Sequence, residues 1–235
     1  MRAMISPLRI SVIVPALNEA ENLEPLLKRL HQLPEVLEMV VCDGGSADQT
    51  RDIALENGAK VVQTAANRGA QMNAGALVSN GEILWFLHAD TLPASSSTRR
   101  IVQSASNEKT IGGNFRLRFD QRTSGARIVE IIARVLRRFG IYYGDSGIWV
   151  RREVFDQLGG FENWPLFEDF DFARRLESEA RRRGARTVCI ALPLRVSSRR
   201  FRGGVVRLLA RWCQLQLLFW LGAAPQKLAQ LYARK

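Results

Sequence analysis

The triplet His88-Ala89-Asp90 directly follows the apolar run Ile83-Leu84-Trp85-Phe86-Leu87. Such a run reads as a buried strand, so the triplet lifts a carboxylate off the strand's carboxyl end, where it can hold a divalent cation. The arrangement recurs. Asp43 follows Val40-Val41-Cys42, and Phe167-Glu168-Asp169-Phe170-Asp171 places further acids late in the chain. Three acids delivered to one end of a sheet point to a nucleotide-sugar site: a cation beside a departing diphosphate stabilises the charge that develops there, and another carboxylate can take a proton.

These residues need a scaffold. From Arg9 to about Ala89, apolar β-rich runs alternate with helix-period segments, which predicts βαβ units around a mostly parallel sheet. The first strand is predicted over 10–14, stopped by Pro15. Asn18 with Glu21 resembles a capping box ahead of the stripe Leu23, Leu26, Leu27 and Leu30. Asn18 and Glu19 then lie in the loop at the strand's carboxyl end. A second strand, 39–42, leads into Asp43-Gly44-Gly45-Ser46, with Ser46 and Gln49 expected to cap a helix that Gly58 closes. A short third strand, 60–63, precedes Arg68 to Gly75, a small-residue turn that opens a helix ended by Gly81 and carries Gln71 and Asn73, both expected among the nucleotide-sugar contacts. Right-handed crossovers bring the loops after successive strands to one side of the sheet, where Asn18, Asp43, Arg68 and Asp90 should meet.

Beyond Asp90 the pattern predicts a helix over 95–106, a half-exposed strand over 111–119 and a helix over 126–139. That helix carries Ile128, Ile131, Ile132, Val135, Leu136 and Phe139 at helical spacing with four arginines around them, and would cover the site or lie against lipid. Residues 142–152 read as loop, strand and helix start, 168–182 as a helix, and 186–190 as a closing strand. The expected organisation is one catalytic domain over residues 1–200, with a nucleotide-binding half at 9–90 and an acceptor half at 91–200, followed by an amphipathic tail at 201–235.

With 235 residues, 46% of them apolar, the chain can bury one substantial core. No charge-free apolar stretch of about 18 residues and no signal-like leader is visible, so a cytoplasmic location is expected, with the inner face of the cell membrane as the other place. Cys42, Cys189 and Cys213 are far apart, which predicts reduced, partly buried thiols and no structural zinc. The net charge of +11 fits nucleic acid, anionic lipid or a phosphorylated substrate. Nucleic acid is disfavoured, because the aromatic residues lie within apolar runs and no binding module is visible. The tail from Val205 to Leu221 mixes tryptophan, leucine and arginine, and its charges interrupt a membrane-spanning helix. It is expected to lie on an anionic membrane surface, or to pack on the domain or on a second subunit as a homodimer.

Four stretches in order, Val12 to Glu19, Val41 to Thr50, Leu87 to Asp90 and Glu168-Asp169, resemble the motifs of glycosyltransferase family 2, the inverting enzymes of GT-A fold. The resemblance implies a Rossmann-like α/β sheet flanked by helices, and a UDP-sugar as the expected donor, with GDP and dTDP as further candidates. It also implies Mn²⁺ or Mg²⁺ bridging the diphosphate on Asp90, Asp43 and Gly44 at the nucleotide base, and the Pro15 to Glu19 loop around base and ribose. Asp169 is implied as the catalytic base that deprotonates an acceptor, against the plainer reading of an acid at a helix start. Its setting between Phe167 and Phe170 suits a proton acceptor.

The chain departs from the family where His88 replaces the common first aspartate of the metal motif. His88 lines the site or is a structural histidine. Shorter signatures, Gly69 to Gly75, His88 to Thr91, Tyr143-Gly144-Asp145 and Ser197 to Phe201, resemble a small bacterial subgroup assigned to arsenosugar biosynthesis or to glycosylation of carotenoid acids. The acceptor is then a small molecule or lipid-like, attacking through a hydroxyl or a carboxylate. Asp43 contacts the base or caps its turn; Arg68 faces the nucleotide or caps a turn. Asp145 contacts the acceptor or caps its loop, Glu168 is counted with the acceptor or phosphate contacts, and Arg199 and Arg200 clamp the diphosphate or form a surface turn. An inactive nucleotide-binding scaffold and a nucleotidyltransferase are the competing functions. Retention of both Asp90 and Asp169 argues against the first, and the lack of a basic glycine-rich first loop against the second.

Overall fold

Seven successive buried residues, Ile10–Ala16, form the centre of the sheet as β1. Their apolarity on both faces is what a strand covered by helices on either side requires. In the computed structural model, which describes residues 8–199 and 204–233, β1 is flanked by β2 (Val36–Asp43) and β4 (Ile83–Phe86), with β3 (Lys60–Gln63) outside β2. These four strands are parallel, joined by α1 (Ala20–His31), α2 (Thr50–Glu56) and α3 (Arg68–Val78). The sheet continues through β7 (Trp149–Arg151), β6 (Thr110–Phe119), β8 (Arg186–Val196) and the two-residue β5 (Thr91–Leu92). Strand β7 runs antiparallel to both β4 and β6, whereas β6 and β8 are parallel to each other.

Helices cover both faces. Leu23, Leu26, Leu27 and Leu30 of α1 pack with Ile10, Val12, Val14 and Ile101 of α4 (Ser97–Ala105) on one side. Met72 of α3, Phe155 of α6 (Arg152–Gln157) and Phe172 of α7 (Glu168–Arg182) pack with Ile13 and Phe86 on the other. Each leucine of the α1 stripe is completely buried, and removing such a side chain from water stabilises by roughly 1.5–3 kcal/mol. Helix α5 (Ser124–Arg138) lies against β6 and the end of β8, and two further helices, α8 (Val205–Trp220) and α9 (Pro225–Ala233), follow.

Several boundaries differ from the sequence reading. Pro15 does not stop β1: it pairs with Cys42. Backbone groups of a strand point alternately to either neighbour, and the missing N–H of Pro15 falls on the β4 side, beyond the last paired residue there, Phe86. Asn18 is not the N-cap of α1; Glu19 occupies that position, and Asn18 adopts φ 54°. Gln49 occupies the N-cap position of α2 but its side chain makes no capping hydrogen bond, and Ser46 lies outside the cap; the first amide, Thr50 N–H, donates to Asp48 Oδ1 at 3.0 Å. Helix α3 is capped by Asn67, whose side chain accepts from Ala70 N–H, and it ends at Val78 rather than at Gly81. Strand β8 continues past 190 to Val196, because β6 offers a partner along its whole length. Of the cysteines only Cys42 is buried, and burial pushes its thiol up to about 12; Cys189 and Cys213 are exposed.

The tail is not detached. Leu215 of α8 and Leu228 of α9 form a cluster with Phe167 and Phe170, and Trp212 meets Tyr143 edge-on at 4.8 Å. Of the expected tail partners, the catalytic domain itself is therefore one.

Candidate functional site

The carboxyl ends of β1 and β2 are laced together. Asn18 N–H donates to Ser46 Oγ at 2.9 Å and Ala47 N–H donates back to Asn18 Oδ1 at 2.9 Å. Glu19 N–H donates to Thr50 Oγ1 at 2.9 Å and Ala20 N–H to Asp48 Oδ2 at 3.2 Å. Asp43, 1% exposed, accepts from Ser46 N–H at 3.1 Å and Gly45 N–H at 3.3 Å, with Arg51 Nε 3.9 Å away. A carboxylate has about four acceptor positions, so capping its own turn leaves Asp43 able to accept from a further donor. Pro15 and Ala16 belong to the strand and not to the loop. The Ala16 carbonyl accepts from Gly44 N–H at 2.9 Å and from Gln71 Nε2 at 3.0 Å.

The other amides of α3 act as braces. Gln71 Nε2 also donates to the Cys42 carbonyl at 2.7 Å, so one side chain ties together the two strand ends beneath Asp43. Asn73 is turned to the connection between α6 and α7, donating to the Phe161 carbonyl at 2.7 Å and accepting from Phe161 N–H at 2.8 Å. Sequence reasoning placed both among donor contacts; in the fold their polar atoms hold the frame. Gly69 permits the same packing, since a Cβ there would lie 2.0 Å from the Glu162 carbonyl oxygen.

Three acids gather around Arg68. Its Nε pairs with Glu168 Oε1, and Asp169 and Asp145 act on its charge as well. Burial works against the Arg68 cation, but the three carboxylates hold it above the ordinary arginine value. Burial pushes the Glu168 carboxyl up, Arg68 pulls it back and Asp169 adds to the rise. Glu168 is completely buried, and its second oxygen has no hydrogen-bond partner. Asp169 Oδ2 accepts from Gly144 N–H at 2.7 Å and Oδ1 from Phe170 N–H at 2.7 Å. Gly144 opens a short 3₁₀ turn over 144–146 that also carries Asp145. A Cβ on Gly144 would stand 3.0 Å from both Asp169 Oδ2 and His88 Nε2, so the carboxylate of α7 and the imidazole after β4 converge on one glycine. His88 and Asp169 thus face the same glycine.

Asp90 and Arg199 make the third part. The Asp90 side chain is 3% exposed, and Arg199 Nη2 lies 3.4 Å from Asp90 Oδ2 and 2.7 Å from Glu19 Oε1. The hydrogen bond that Arg199 donates to Glu19 is the main reason that its guanidinium is held above its ordinary value, with Asp90 adding to it. Ser197 N–H donates to the Asp90 carbonyl at 3.2 Å, which pins the turn after β4 to the end of β8. Ala89 packs into the core, so only its backbone is available to a ligand. Arg200 lies outside the described residues.

Among the described residues, no group of three or more His, Cys, Asp or Glu could hold a metal ion alone. The donor set fits an ion held by one carboxylate and completed by substrate phosphates and water, which is how Mg²⁺ and Mn²⁺ are commonly bound at diphosphates.

Two non-glycine residues among those described have positive φ, Asn18 at 54° and Phe167 at 66°, and both border this site. For the buried, bulky Phe167 that conformation is strained. It aims Glu168 and Asp169 inward from the start of α7. Sequence reasoning missed this, and it also missed Ser46, Asp48 and Thr50 as laces and Gly144 as the amide that fixes Asp169. The Tyr143-Gly144-Asp145 signature was the available signal for Gly144.

The model of the glycosyl transferase family 2 matches residues 11–159, well over half of the chain. The chain belongs to that family. It is 27% identical over 184 residues to an uncharacterized glycosyltransferase of Nostoc sp., covering 69% of this chain and 57% of that one. It is 36% identical over 112 residues to the 4,4'-diaponeurosporenoate glycosyltransferase of Staphylococcus haemolyticus, covering 44% of this chain and 30% of the relative. The chain thus spans about half the length of the curated relatives it matches first. Among solved structures it resembles the mannosyltransferase PcManGT from Pyrobaculum calidifontis, a complex with GDP-Man and Mn²⁺. That likeness has a TM-score of 0.68 at 19% identity, covering 94% of this chain and 67% of that one. At such identity it establishes the fold, which is the GT-A arrangement expected for this family 2 chain.

Proposed function

We propose that this chain is an inverting glycosyltransferase that moves a sugar from a nucleotide-sugar, UDP-linked by family resemblance, to an acceptor hydroxyl or carboxylate. The observation that carries the reading is the convergence of Asp169 and His88 on Gly144, with Asp90 two residues beyond His88. Asp43 and the Asn18-Glu19 loop hold base and ribose, and Arg68, His88 and Arg199 face the diphosphate. Asp90 would hold Mn²⁺ or Mg²⁺, which when bound supplies positive charge at the departing diphosphate oxygen. Asp169 takes the proton of the acceptor hydroxyl as that oxygen attacks the anomeric carbon. The bond to the diphosphate breaks on the opposite face, and one displacement inverts the anomer. A carboxylate acceptor arrives ionised and needs no base. Gly144 N–H keeps Asp169 Oδ2 aimed, and Asp145 borders the acceptor side. Residues 9–90 are the donor half and 91–200 the acceptor half, and the diaponeurosporenoate named for the Staphylococcus haemolyticus relative, a lipid-like acceptor, supports a membrane-side location.

Calorimetry with UDP, GDP and dTDP, each with and without Mn²⁺, tests the reading. One nucleotide should bind and Mn²⁺ should tighten it at least about tenfold, a differential of about 1.4 kcal/mol. Asp90→Ala should lose the metal-dependent part while retaining a metal-independent remainder. Absence of nucleotide binding by the wild type would sink the donor assignment, and undiminished metal dependence in Asp90→Ala would sink the metal assignment.

A further inference from the structure

The core accounts for the inner faces of α5 and α8 and leaves their outer faces uncovered. In α5 the inward apolar residues are small: Ala126 is buried, and Val129 and Ala133 pack against Leu117, Phe119 and Val196, beside Arg137, which pairs with Glu177. The large residues point outward. Ile128, Ile131, Ile132, Val135 and Phe139 form one helical stripe and all are exposed, Phe139 by 70%. Helix α8 repeats the inversion. Leu215 and Phe219 turn inward, while Val206, Cys213, Leu217 and Trp220 run exposed down the opposite side, Val206 by 79%. The two helices touch at their amino ends, where a Cβ on Gly125 would stand 2.7 Å from Val205. Large apolar side chains normally go inside, so two adjoining helices that turn them outward mark a surface built to be covered.

Charge decides what covers it. Exposed Arg127, Arg134 and Arg138 flank the α5 stripe along one edge, and exposed Arg207 flanks that of α8. Glu179 is the last acidic residue of the chain; the 56 residues after it hold thirteen Lys and Arg. The first 179 residues hold 21 basic against 23 acidic side chains, so the whole excess of +11 arises in this last part. A second copy would oppose arginine with arginine. An anionic bilayer answers both features, because apolar stripes enter the acyl boundary while guanidinium groups meet lipid phosphates. No helix among the described residues is long and apolar enough to cross a membrane, which fits helices lying in its plane.

We propose that α5 and α8 together form a docking surface for an anionic lipid bilayer. Where the helices meet, Thr123, Gly125 and Val205 line a cavity of about 480 Å³ whose further wall includes Ser197, Ser198 and Arg199. Arg199 is the arginine beside Asp90, so docking would open a route from the bilayer toward the site. That consequence rests on the proposed transferase activity; the docking itself does not.

The test is co-sedimentation of the full chain with phosphatidylcholine vesicles, with and without phosphatidylglycerol. The wild type should bind the anionic vesicles at least about tenfold more tightly and weaken with salt. The Ile131→Glu/Val135→Glu double variant and Leu217→Glu should each lower binding about tenfold or more, while their thermal midpoints stay at the wild-type value because these side chains are already in water. Blue-shifted tryptophan emission of the wild type on anionic vesicles is the readout if a variant fails to fold. Absence of wild-type binding, absence of both the salt effect and the emission shift, or unchanged binding by the variants would overturn the proposal. So would a wild-type dimer that the same substitutions split, since a second copy would then own the face. Nucleotide calorimetry on the double variant should match the wild type, which separates a failed docking surface from a failed donor site.

Discussion

Arg68→Met isolates the electrostatics that hold the acidic end of α7 in place. Glu168 is completely buried and Arg68 is its ion-pair partner, so the substitution leaves a carboxylate inside the protein without its cation. Removing one member of a buried pair costs about 3–5 kcal/mol. The Arg68 side chain is 27% exposed, which screens the pair and places the expected loss at the lower end, about 3 kcal/mol at about pH 8. The loss should depend on pH with a defined sign. Burial raises Glu168 above the ordinary carboxylate value in the folded state, so the native protein binds more protons than the unfolded one. Stability therefore falls as pH rises from the ordinary carboxylate value to the folded one. Without Arg68 to pull it down, Glu168 rises further, and the difference between variant and wild type should grow with pH by up to about 1.4 kcal/mol per unit until the new value is passed. Urea unfolding followed by tryptophan fluorescence, at about pH 5.5 and about pH 8, measures both quantities. A loss below about 1 kcal/mol at the higher pH, or one equal at both, would show that solvent already screens Glu168 and would refute the reasoning.

Asp169→Asn should bind donor like the wild type yet release nucleoside diphosphate about 10²–10⁴ times more slowly, with water in the acceptor's place; full turnover would remove the base assignment. Gly144→Ala puts a methyl group 3.0 Å from both Asp169 Oδ2 and His88 Nε2. Turnover should fall about 10-fold to 10²-fold through misplacement of the carboxylate, with nucleotide affinity little changed, and an unaffected rate constant would show that the turn has slack. Gly69→Ala brings a Cβ to 2.0 Å from the Glu162 carbonyl oxygen, which backbone must yield to. A loss of about 1–3 kcal/mol in chemical denaturation is expected, and wild-type stability would mean that the 160–164 connection moves at little cost.

How far the chain could be read in advance follows from the range of the interactions involved. The alternation of apolar runs with helix-period stripes placed β1 to β4 and α1 to α3, because a side chain's side of a strand or helix is a local property. The placement of Asp43 and Asp90 was legible for the same reason: Asp43 ends the buried strand β2 and Asp90 is the first carboxylate after β4. Helix α7 was read with its observed limits, as its acids stand in the first turn and its arginines in the last. Family membership rested on motifs that follow β1, β2 and β4 in turn along the chain and then open α7.

Tertiary structure decided the rest. That Pro15 could stay in a strand depended on where β4 ends, and that Asn18 would lace to Ser46 depended on β1 and β2 being neighbours. The partners of Glu168 and Asp169 come from residues 100 and 25 positions away. Such pairings carry no local periodicity and become visible only once the sheet order brings α3, the 3₁₀ turn and α7 to one edge. The α5 stripe was plain in the sequence as a stripe. Whether it faces the core or the solvent was not, because an amphipathic pattern defines two faces, and only the neighbours that α5 meets, small residues against β6 and β8, settle which of them remains uncovered.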